Sequence, residues 1–277
     1  MADKKTTYMP LLTLNDLESA SRIFRGRLGN ILGSSLMSWL SVDRVNCLYD
    51  RNFHRKGPDF TEAVLSDLGL EYELLHAERL KDLPSGPFIT ISNHPYGSID
   101  GVLLVDIFGH LRPDYKVMVN GFLSRVRTLE DNFICVTPTG NVRRKPSGDT
   151  IHGVRESLEH VRDGHPMGIF PSGAVSDLSL KDGCVRDRPW QEPVIRLIQK
   201  MNVPIVPVHF LDRNSDLYYT LGLIDWRVRL LRFPAEVFNK RGERTRVAIG
   251  PIITPARQQA HADFLSDFLR NTVYNQY

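Results

Sequence analysis

The sequence predicts an α/β protein with a largely parallel central sheet flanked by helices and a helical extension at the N-terminus. Short apolar runs rich in β-branched residues alternate along the chain with helical patterns. Runs such as PFITIS, YKVMVN, NFICVT and VPIVPVHF lack the polar alternation of a half-exposed sheet, which indicates strands buried on both faces. Strands of this kind separated by helices are typical of a parallel sheet covered by helices.

Length and composition are compatible with one folded domain that has a large core. The chain has 277 residues, of which 42% are apolar and 24% are charged. These values are ordinary for globular proteins. We divide the chain into an N-terminal helical extension over residues 1–80 and an α/β domain over residues 81–277.

Residues 17–40 show the four-residue spacing of an amphipathic helix, with arginines beside the apolar stripe. Such a helix is typical of the membrane interface, but the same stripe also suits a helix packed on the protein's own core. A second helix is predicted to begin at a capping-box-like Asp59 and to stop at Gly69, before a strand that starts near Glu71. The apolar positions of the first stripe are Phe24, Leu28, Leu32, Leu36 and Leu40.

Charge, cysteine content and hydropathy exclude several classes of protein. The net charge is only +3 and the basic residues form no long block, so nucleic acid is not an expected partner. The three cysteines include no CxxC pair and the nine histidines are scattered, so neither a disulfide framework nor a metal site is expected. No uninterrupted apolar segment reaches the ~18 residues of a membrane span, and no secretory signal is recognised. We expect a cytoplasmic protein that is soluble or lies on a membrane surface.

The most informative segment is TISNHPYGSIDG, residues 90–101, which follows a predicted buried strand and opens a predicted helix. In an open α/β sheet this turn lies at the carboxyl ends of the strands, where ligands bind. Asp100, on the first helical turn, can reach one imidazole nitrogen of His94, fix its tautomer and leave the other nitrogen free to take a proton. The alternative is that His94 only caps the helix or satisfies a buried polar group.

A His–Asp pair without a nucleophilic serine or cysteine suits direct attack by a substrate hydroxyl, because the base activates the acceptor without a covalent enzyme intermediate. The sequence contains no GxSxG, HExxH, Walker or GxGxxG signature. A hydrolase remains an alternative, since the same base could activate water. A non-catalytic module that binds a membrane surface or an acyl carrier is a second alternative.

The block NHPYGSIDG resembles the first conserved block of the lysophospholipid and glycerol-phosphate acyltransferase superfamily. The usual pattern is His, four residues, then Asp; here five residues intervene, which is similar to the haemolysin-like and lyso-ornithine-lipid acyltransferases with NHPxGxxDG. Further blocks follow in the family's order over roughly residues 85–255: TPTGNVRRKPSGD, GIFPSGAVS with Ser172 in place of the usual glutamate, and VPIVPVHF with Pro207 at its proline.

This resemblance implies a glycerolipid acyltransferase-like fold and an O-acyltransferase that moves a fatty acyl chain from a thioester to the hydroxyl of a lyso-lipid. It implies His94 and Asp100 as catalytic residues, no metal, and no cofactor besides the co-substrate, acyl-carrier protein or coenzyme A thioester. The acceptor would be a lyso-aminolipid or lysophosphatidic acid, and the protein would lie peripherally on the inner face of the cytoplasmic membrane. The substrate-binding residues implied are Asn93, Gly97, Arg143, Arg144, Lys145, Phe170, Pro171, Ser172 and Gly173.

Overall fold

The predicted α/β class is confirmed by a computed structural model, which describes residues 40–137 and 148–275 and a few isolated positions before residue 40. A seven-stranded, mostly parallel sheet is flanked by helices. The strands of the described residues are β1 (Glu71–Leu75), β2 (Ile89–Ser92), β3 (Lys116–Asn120), β4 (Phe133–Val136), β5 (Met167–Ile169), β6 (Asp177–Ser179), β7 (Cys184–Arg186), β8 (Ile205–Phe210) and β9 (Arg244–Ile249). Strands β6 and β7 form a separate antiparallel hairpin.

The strand order in the main sheet is β1-β9-β8-β2-β5-β3-β4. Five neighbouring pairs are parallel, and only the contact between β8 and β9 is antiparallel. Strands β8, β2, β5, β3 and β4 therefore run in one direction, and their carboxyl ends share one edge of the sheet. Strand β1, which belongs to the first eighty residues, pairs in parallel with β9 at the other side of the sheet.

The helices of the described residues are α1 (Val42–Asn52), α2 (Gly57–Leu68), α3 (Ile99–Gly109), α4 (Gly148–Arg162), α5 (Glu192–Met201), α6 (Asp216–Ile224), α7 (Trp226–Leu231), α8 (Phe233–Asn239), α9 (Pro255–Gln259) and α10 (Leu265–Tyr274). Apart from a few isolated positions, the helix predicted over residues 17–40 lies outside the described residues. Leu40, the last residue of its stripe, is described and buried. No helix within the described ranges is long and apolar enough to cross a bilayer.

Helix α2 shows where local sequence signals were right and where they were wrong. Its C-terminus is as predicted, because Gly69 adopts the left-handed conformation at φ 61° and its N–H reaches the last carbonyls. The predicted start at Asp59 is wrong: the helix begins at Gly57, and its cap makes no side-chain hydrogen bond. Pro58 in the first turn explains the earlier start, since its fixed φ suits that position and it has no N–H to satisfy.

Two apolar layers cover the two faces of the sheet. Successive residues of a strand point to opposite faces, so Phe88 lies in the layer formed with α2 and α3, whereas Ile89 lies in the layer formed with α4, α5 and α10. Strand β2, with all four residues buried, lies between β8 and β5 in the middle of the sheet. The turn that carries His94 therefore follows a central strand and lies where the carboxyl ends of five strands meet.

Candidate active site

The turn between β2 and α3 wraps around the carboxylate of Asp100. The backbone N–H groups of Tyr96 and Gly97 donate to Asp100, the latter at 2.8 Å to Oδ2. Gly97 has φ 82°, a left-handed conformation that L side chains rarely adopt, and a Cβ there would meet the side chains of Val175 and Phe233. Asp100 also lies in the first turn of α3, where the helix dipole favours a negative charge. Turn and helix together bury the Asp100 carboxylate with backbone donors at both of its oxygens.

His94 and Asp100 meet as the spacing predicts. Nδ1 of His94 lies 2.6 Å from Oδ2 of Asp100. The side chain of Asp100 is fully buried, whereas that of His94 keeps 17% of its surface exposed. A carboxylate this close to Nδ1 favours the tautomer that carries its proton there, so that Nε2 can accept a proton from a substrate. The arrangement can act as a general base.

Phe170 supplies one wall beside the histidine. It follows β5, the strand next to β2, and its ring lies against the imidazole with centroids 4.1 Å apart. Phe170 itself is half-buried. The phenyl ring thus restricts the movement of the imidazole and makes the surroundings of the proton acceptor less polar.

Asn93, a predicted substrate-binding residue, is hydrogen-bonded within the sheet. Its Nδ2 donates to the carbonyl of Phe210 and its Oδ1 accepts from the N–H of Phe210, both at 2.8 Å. The residue is only 3% exposed. These bonds join the end of β2 to the end of β8 and fix the chain just before His94.

The predicted substrate-binding residues 171–173 form a turn whose side-chain contacts are made within the protein. Pro171 is buried, and the hydroxyl of the 2% exposed Ser172 donates to the carbonyl of Ala174 at 2.6 Å. Gly173 is exposed and has φ 61°, and a side chain there would collide with Gln191. The Ser172 hydroxyl therefore stabilises this turn.

The predicted headgroup cluster of Arg143, Arg144 and Lys145 lies outside the described residues. The residues that bracket it are described: β4 ends at Val136 and α4 begins at Gly148. Because β4 is parallel to β3, it ends at the same edge of the sheet as β2.

Further side chains hold the turn from outside. The hydroxyl of Tyr219 on α6 donates to the carbonyl of Pro95 at 2.7 Å. Nδ2 of Asn214 donates to the carbonyl of Tyr96 at 3.0 Å, and the hydroxyl of Tyr96 exchanges a hydrogen bond with Thr245. Sequence analysis did not single out these partners, because they are more than one hundred residues distant along the chain.

Asp187 is a second buried carboxylate at the turn, and sequence analysis also missed it. Its Oδ1 accepts a hydrogen bond from the backbone N–H of His94 at 3.1 Å. Burial raises the pKa of the Asp187 carboxyl, while hydrogen bonds from Ser176 and Trp190 oppose that effect. No local motif marks Asp187; it follows a short hairpin strand and lies 93 positions beyond His94.

In the part of the chain that the structure describes, no group of three or more His, Cys, Asp or Glu side chains could hold a metal ion. The side chains that the structure brings together beside the His94 turn are an imidazole, two buried carboxylates and an aromatic ring.

Comparison with known proteins identifies relatives along most of the chain. Residues 33–275 match a family described as acyltransferase. The chain is 30% identical over 225 residues to the lyso-glycine lipid O-acyltransferase of Bacteroides thetaiotaomicron, with 78% of each protein covered. It is 26% identical over 275 residues to the lyso-glycine lipid O-acyltransferase of Phocaeicola vulgatus, with 94% of each covered. The solved structure of the 1-acyl-sn-glycerophosphate (LPA) acyltransferase PlsC from Thermotoga maritima is 14% identical, with a TM-score of 0.45 over 89% of this chain and 95% of that one.

Proposed function

This chain belongs to the acyltransferase family, and from that premise we propose that it transfers a fatty acyl group from a thioester to the hydroxyl of a lyso-lipid with His94 as general base. The predicted family is confirmed by the match over residues 33–275. The observation that carries the proposed mechanism is the 2.6 Å contact between Nδ1 of His94 and Oδ2 of Asp100. It leaves Nε2 as the proton acceptor.

In the proposed reaction, the acceptor hydroxyl donates its proton to Nε2 of His94. The oxygen attacks the thioester carbonyl carbon, a C–O bond forms, and the C–S bond breaks when the tetrahedral intermediate collapses. The departing sulfur then takes the proton from the imidazolium. Asp100 holds the ring and stabilises its positive charge, while a base of this kind contributes ~10²–10⁴ in rate.

The proposed acceptor is a lyso-aminolipid, with lysophosphatidic acid as the second candidate. Both similar lyso-glycine lipid O-acyltransferases support a lyso-lipid that carries an amino acid. Such a headgroup carries a carboxylate, and arginine binds a carboxylate or a phosphate with paired hydrogen bonds. We assign this contact to Arg143, Arg144 and Lys145. The acyl donor is acyl-carrier protein or coenzyme A thioester.

We also propose that the protein binds a membrane surface, because its lipid acceptor and product reside in a bilayer. Helices α6 and α7 carry exposed apolar side chains at Leu217, Leu223, Ile224, Val228 and Leu231. On its other face α6 buries Tyr218 and Tyr219, and Tyr219 contacts the His94 turn. The exposed face and the predicted helix over residues 17–40 would hold the site against the inner face of the cytoplasmic membrane.

The experiment that tests the reaction is a radiolabelled acyl-transfer assay with the wild type and His94→Ala. Acyl-carrier-protein and coenzyme A thioesters are offered with lyso-glycine lipid, lyso-ornithine lipid and lysophosphatidic acid, and products are resolved by chromatography and mass. We expect a diacylated product that the variant does not form. Free fatty acid as the sole product that depends on His94 would indicate hydrolysis. Binding of carrier or membrane without turnover of any substrate would favour the non-catalytic module.

Sedimentation with phosphatidylcholine–phosphatidylglycerol vesicles tests the membrane surface. We expect the double variant Leu217→Lys/Ile224→Lys to remain in the supernatant under conditions in which the wild type sediments. Leu111→Lys is the matched control, since Leu111 is 50% exposed and follows the far end of α3 from Asp100. Equal sedimentation of the double variant and the wild type would show that α6 does not contribute to binding. Release of the wild type by salt alone would indicate electrostatic rather than apolar attachment.

A further inference from the structure

The main chain of His94 is held on both sides by two residues of a distant segment, the side chain of Asp187 and the backbone of Ser176. Its N–H donates to Oδ1 of Asp187 at 3.1 Å, and its carbonyl accepts from the N–H of Ser176 at 2.9 Å. The hydroxyl of Ser176 donates to the same Oδ1 at 2.6 Å. The three residues therefore form a closed ring of hydrogen bonds, and the backbone of His94 cannot shift without breaking one of them.

Asp187 is itself anchored to the C-terminal helix α10. Its N–H donates to the hydroxyl of Tyr274 at 2.9 Å, and its carbonyl accepts from a guanidinium nitrogen of Arg270 at 2.7 Å. It is only 3% exposed. Because α10 packs against the sheet through its own apolar residues, the carboxylate is a fixed point from which the histidine loop is held.

The groups that face this carboxylate are all hydrogen-bond donors. Oδ1 receives the N–H of His94 and the hydroxyl of Ser176, and Oδ2 receives Nε1–H of Trp190 at 3.1 Å. An ionised carboxylate accepts at both oxygens, whereas a carboxamide places a donor at one of the two sites. The arrangement therefore selects aspartate over asparagine.

We propose that Asp187 is a positioning residue that fixes the backbone of His94 and thereby the orientation of the imidazole toward Asp100. The inference rests on the proposed role of His94 as general base. Asp187 acts through the histidine main chain and has no assigned contact with substrate. Displacement of a reacting group by ~1 Å can lower a rate ~10²-fold, so a small movement of this turn has a measurable effect.

The first test compares the kinetics of Asp187→Asn and Asp187→Ala with the wild type. We expect kcat to fall ~10-fold in the first variant, which keeps one acceptor, and up to ~10²-fold in the second. KM for the lyso-lipid is expected to stay within about twofold, because the effect concerns the base and not acceptor binding. The matched control is Asp106→Asn, since Asp106 is also a buried carboxylate with two side-chain donors, Thr61 and Tyr72. We expect the Asp106→Asn variant to be less stable than the wild type but to have the same kcat per folded molecule.

The second test needs no substrate and so separates this inference from the proposed function. Long-range ¹H–¹⁵N spectra of protein labelled in its histidine rings report the tautomer of each imidazole, and the signals of His94 are assigned by their loss in His94→Gln. We expect the Nδ1–H tautomer of His94 in the wild type and in Asp106→Asn. In Asp187→Asn the two nitrogen shifts should move toward a mixture of tautomers.

Unchanged His94 shifts in Asp187→Asn would overturn the positioning role, whatever the activity. A raised KM with unchanged kcat would also overturn it. If Asp187→Ala fails to fold, Ser176→Ala provides a milder variant, because it removes only the hydroxyl bond to Oδ1. In Ser176→Ala the ring-nitrogen shifts of His94 should differ from those of the wild type, by less than in Asp187→Asn. Shifts identical to those of the wild type would contradict the proposal.

Discussion

The phenyl ring of Phe170 packs against the imidazole of His94, with centroids 4.1 Å apart and ring planes inclined by 31°. The two residues leave neighbouring parallel strands, and their packing depends on the pairing of β2 with β5. The imidazole therefore has the carboxylate of Asp100 at Nδ1 and the ring of Phe170 against its face. The orientation of the proposed base is therefore a property of two strands together.

Replacement of Phe170 by Ala is expected to lower kcat ~10- to 10²-fold, because the imidazole gains freedom to rotate and water gains access to it. Initial rates of acyl transfer at saturating acceptor measure the effect. Phe264→Ala is the control, since Phe264 also packs against a histidine, His261, with centroids 5.4 Å apart, and precedes α10, outside the segments that carry His94, Asp100 and Asp187. Equal losses of kcat per folded molecule in both variants would contradict a specific role for Phe170.

Asp100→Asn is expected to lower kcat ~10²- to 10⁴-fold. An amide at this position places a donor where Tyr96, Gly97 or His94 requires an acceptor, so that the tautomer of the histidine is no longer fixed. Since Asp100 is fully buried, unfolding by urea should also show a loss of stability. Acyl-transfer rates must therefore be normalised to folded protein, and full activity after that normalisation would exclude Asp100 from the reaction.

Gly97→Ala is expected to destabilise the protein by ~2–5 kcal/mol, as the sum of left-handed backbone strain and overpacking against Val175 and Phe233. Gly183→Ala is the matched control, because Gly183 also has positive φ, at 63°, but a Cβ there would meet nothing within 4 Å. It is expected to lose only ~1–2 kcal/mol. Urea unfolding of both variants gives the comparison, and equal losses would show that the contact with Phe233 relaxes without cost.

His209 on β8 is expected to weaken the fold in mild acid. Burial lowers the pKa of His209 to about 4, whereas an unfolded histidine titrates near 6.5. Between these values the unfolded chain binds the proton and the folded chain does not, so the free energy of unfolding decreases as the pH falls from 6.5 toward 4. From pH 7 to pH 5 this residue alone accounts for ~2 kcal/mol.

Urea unfolding at pH 7 and pH 5 measures this contribution in the wild type and in His209→Gln. The wild type should lose ~2 kcal/mol more than the variant over that range. The same pH dependence in both proteins would show that His209 is not the group responsible.

Several features of the site were predictable from local sequence because they lie within one strand–turn–helix unit. His94 and Asp100 are six positions apart, and a glycine with positive φ at residue 97 brings the helix start back toward the histidine. The helix that ends at Gly69 and the strand that begins at Glu71 were predicted for the same reason. In residues 226–233, WRVRLLRF, arginines alternate with Val and Leu, a pattern that fits a half-buried strand as well as a helix, and the structure forms helix α7 there.

The support of the site could not be predicted in the same way. Both polar atoms of the Asn93 side chain bond to Phe210, 117 positions away, and the predicted contact of Asn93 with substrate stays a prediction. Ser172 was expected in the acceptor pocket, and its hydroxyl bonds to the backbone two positions later. Neither the register of β2 against β8 nor the path of the turn after β5 is contained in a short window of sequence.

Periodicity, turn residues and the block NHPYGSIDG predicted the α/β class, the largely parallel sheet and the pairing of His94 with Asp100. Each of these features depends on residues that are close together in the chain. The positions of Phe170, Ser176 and Asp187 around the histidine depend on which strands become neighbours and how α10 packs on them. Those choices minimise the exposed apolar surface of the whole chain at once. For that reason the chemistry of the proposed base is local, whereas its orientation is tertiary.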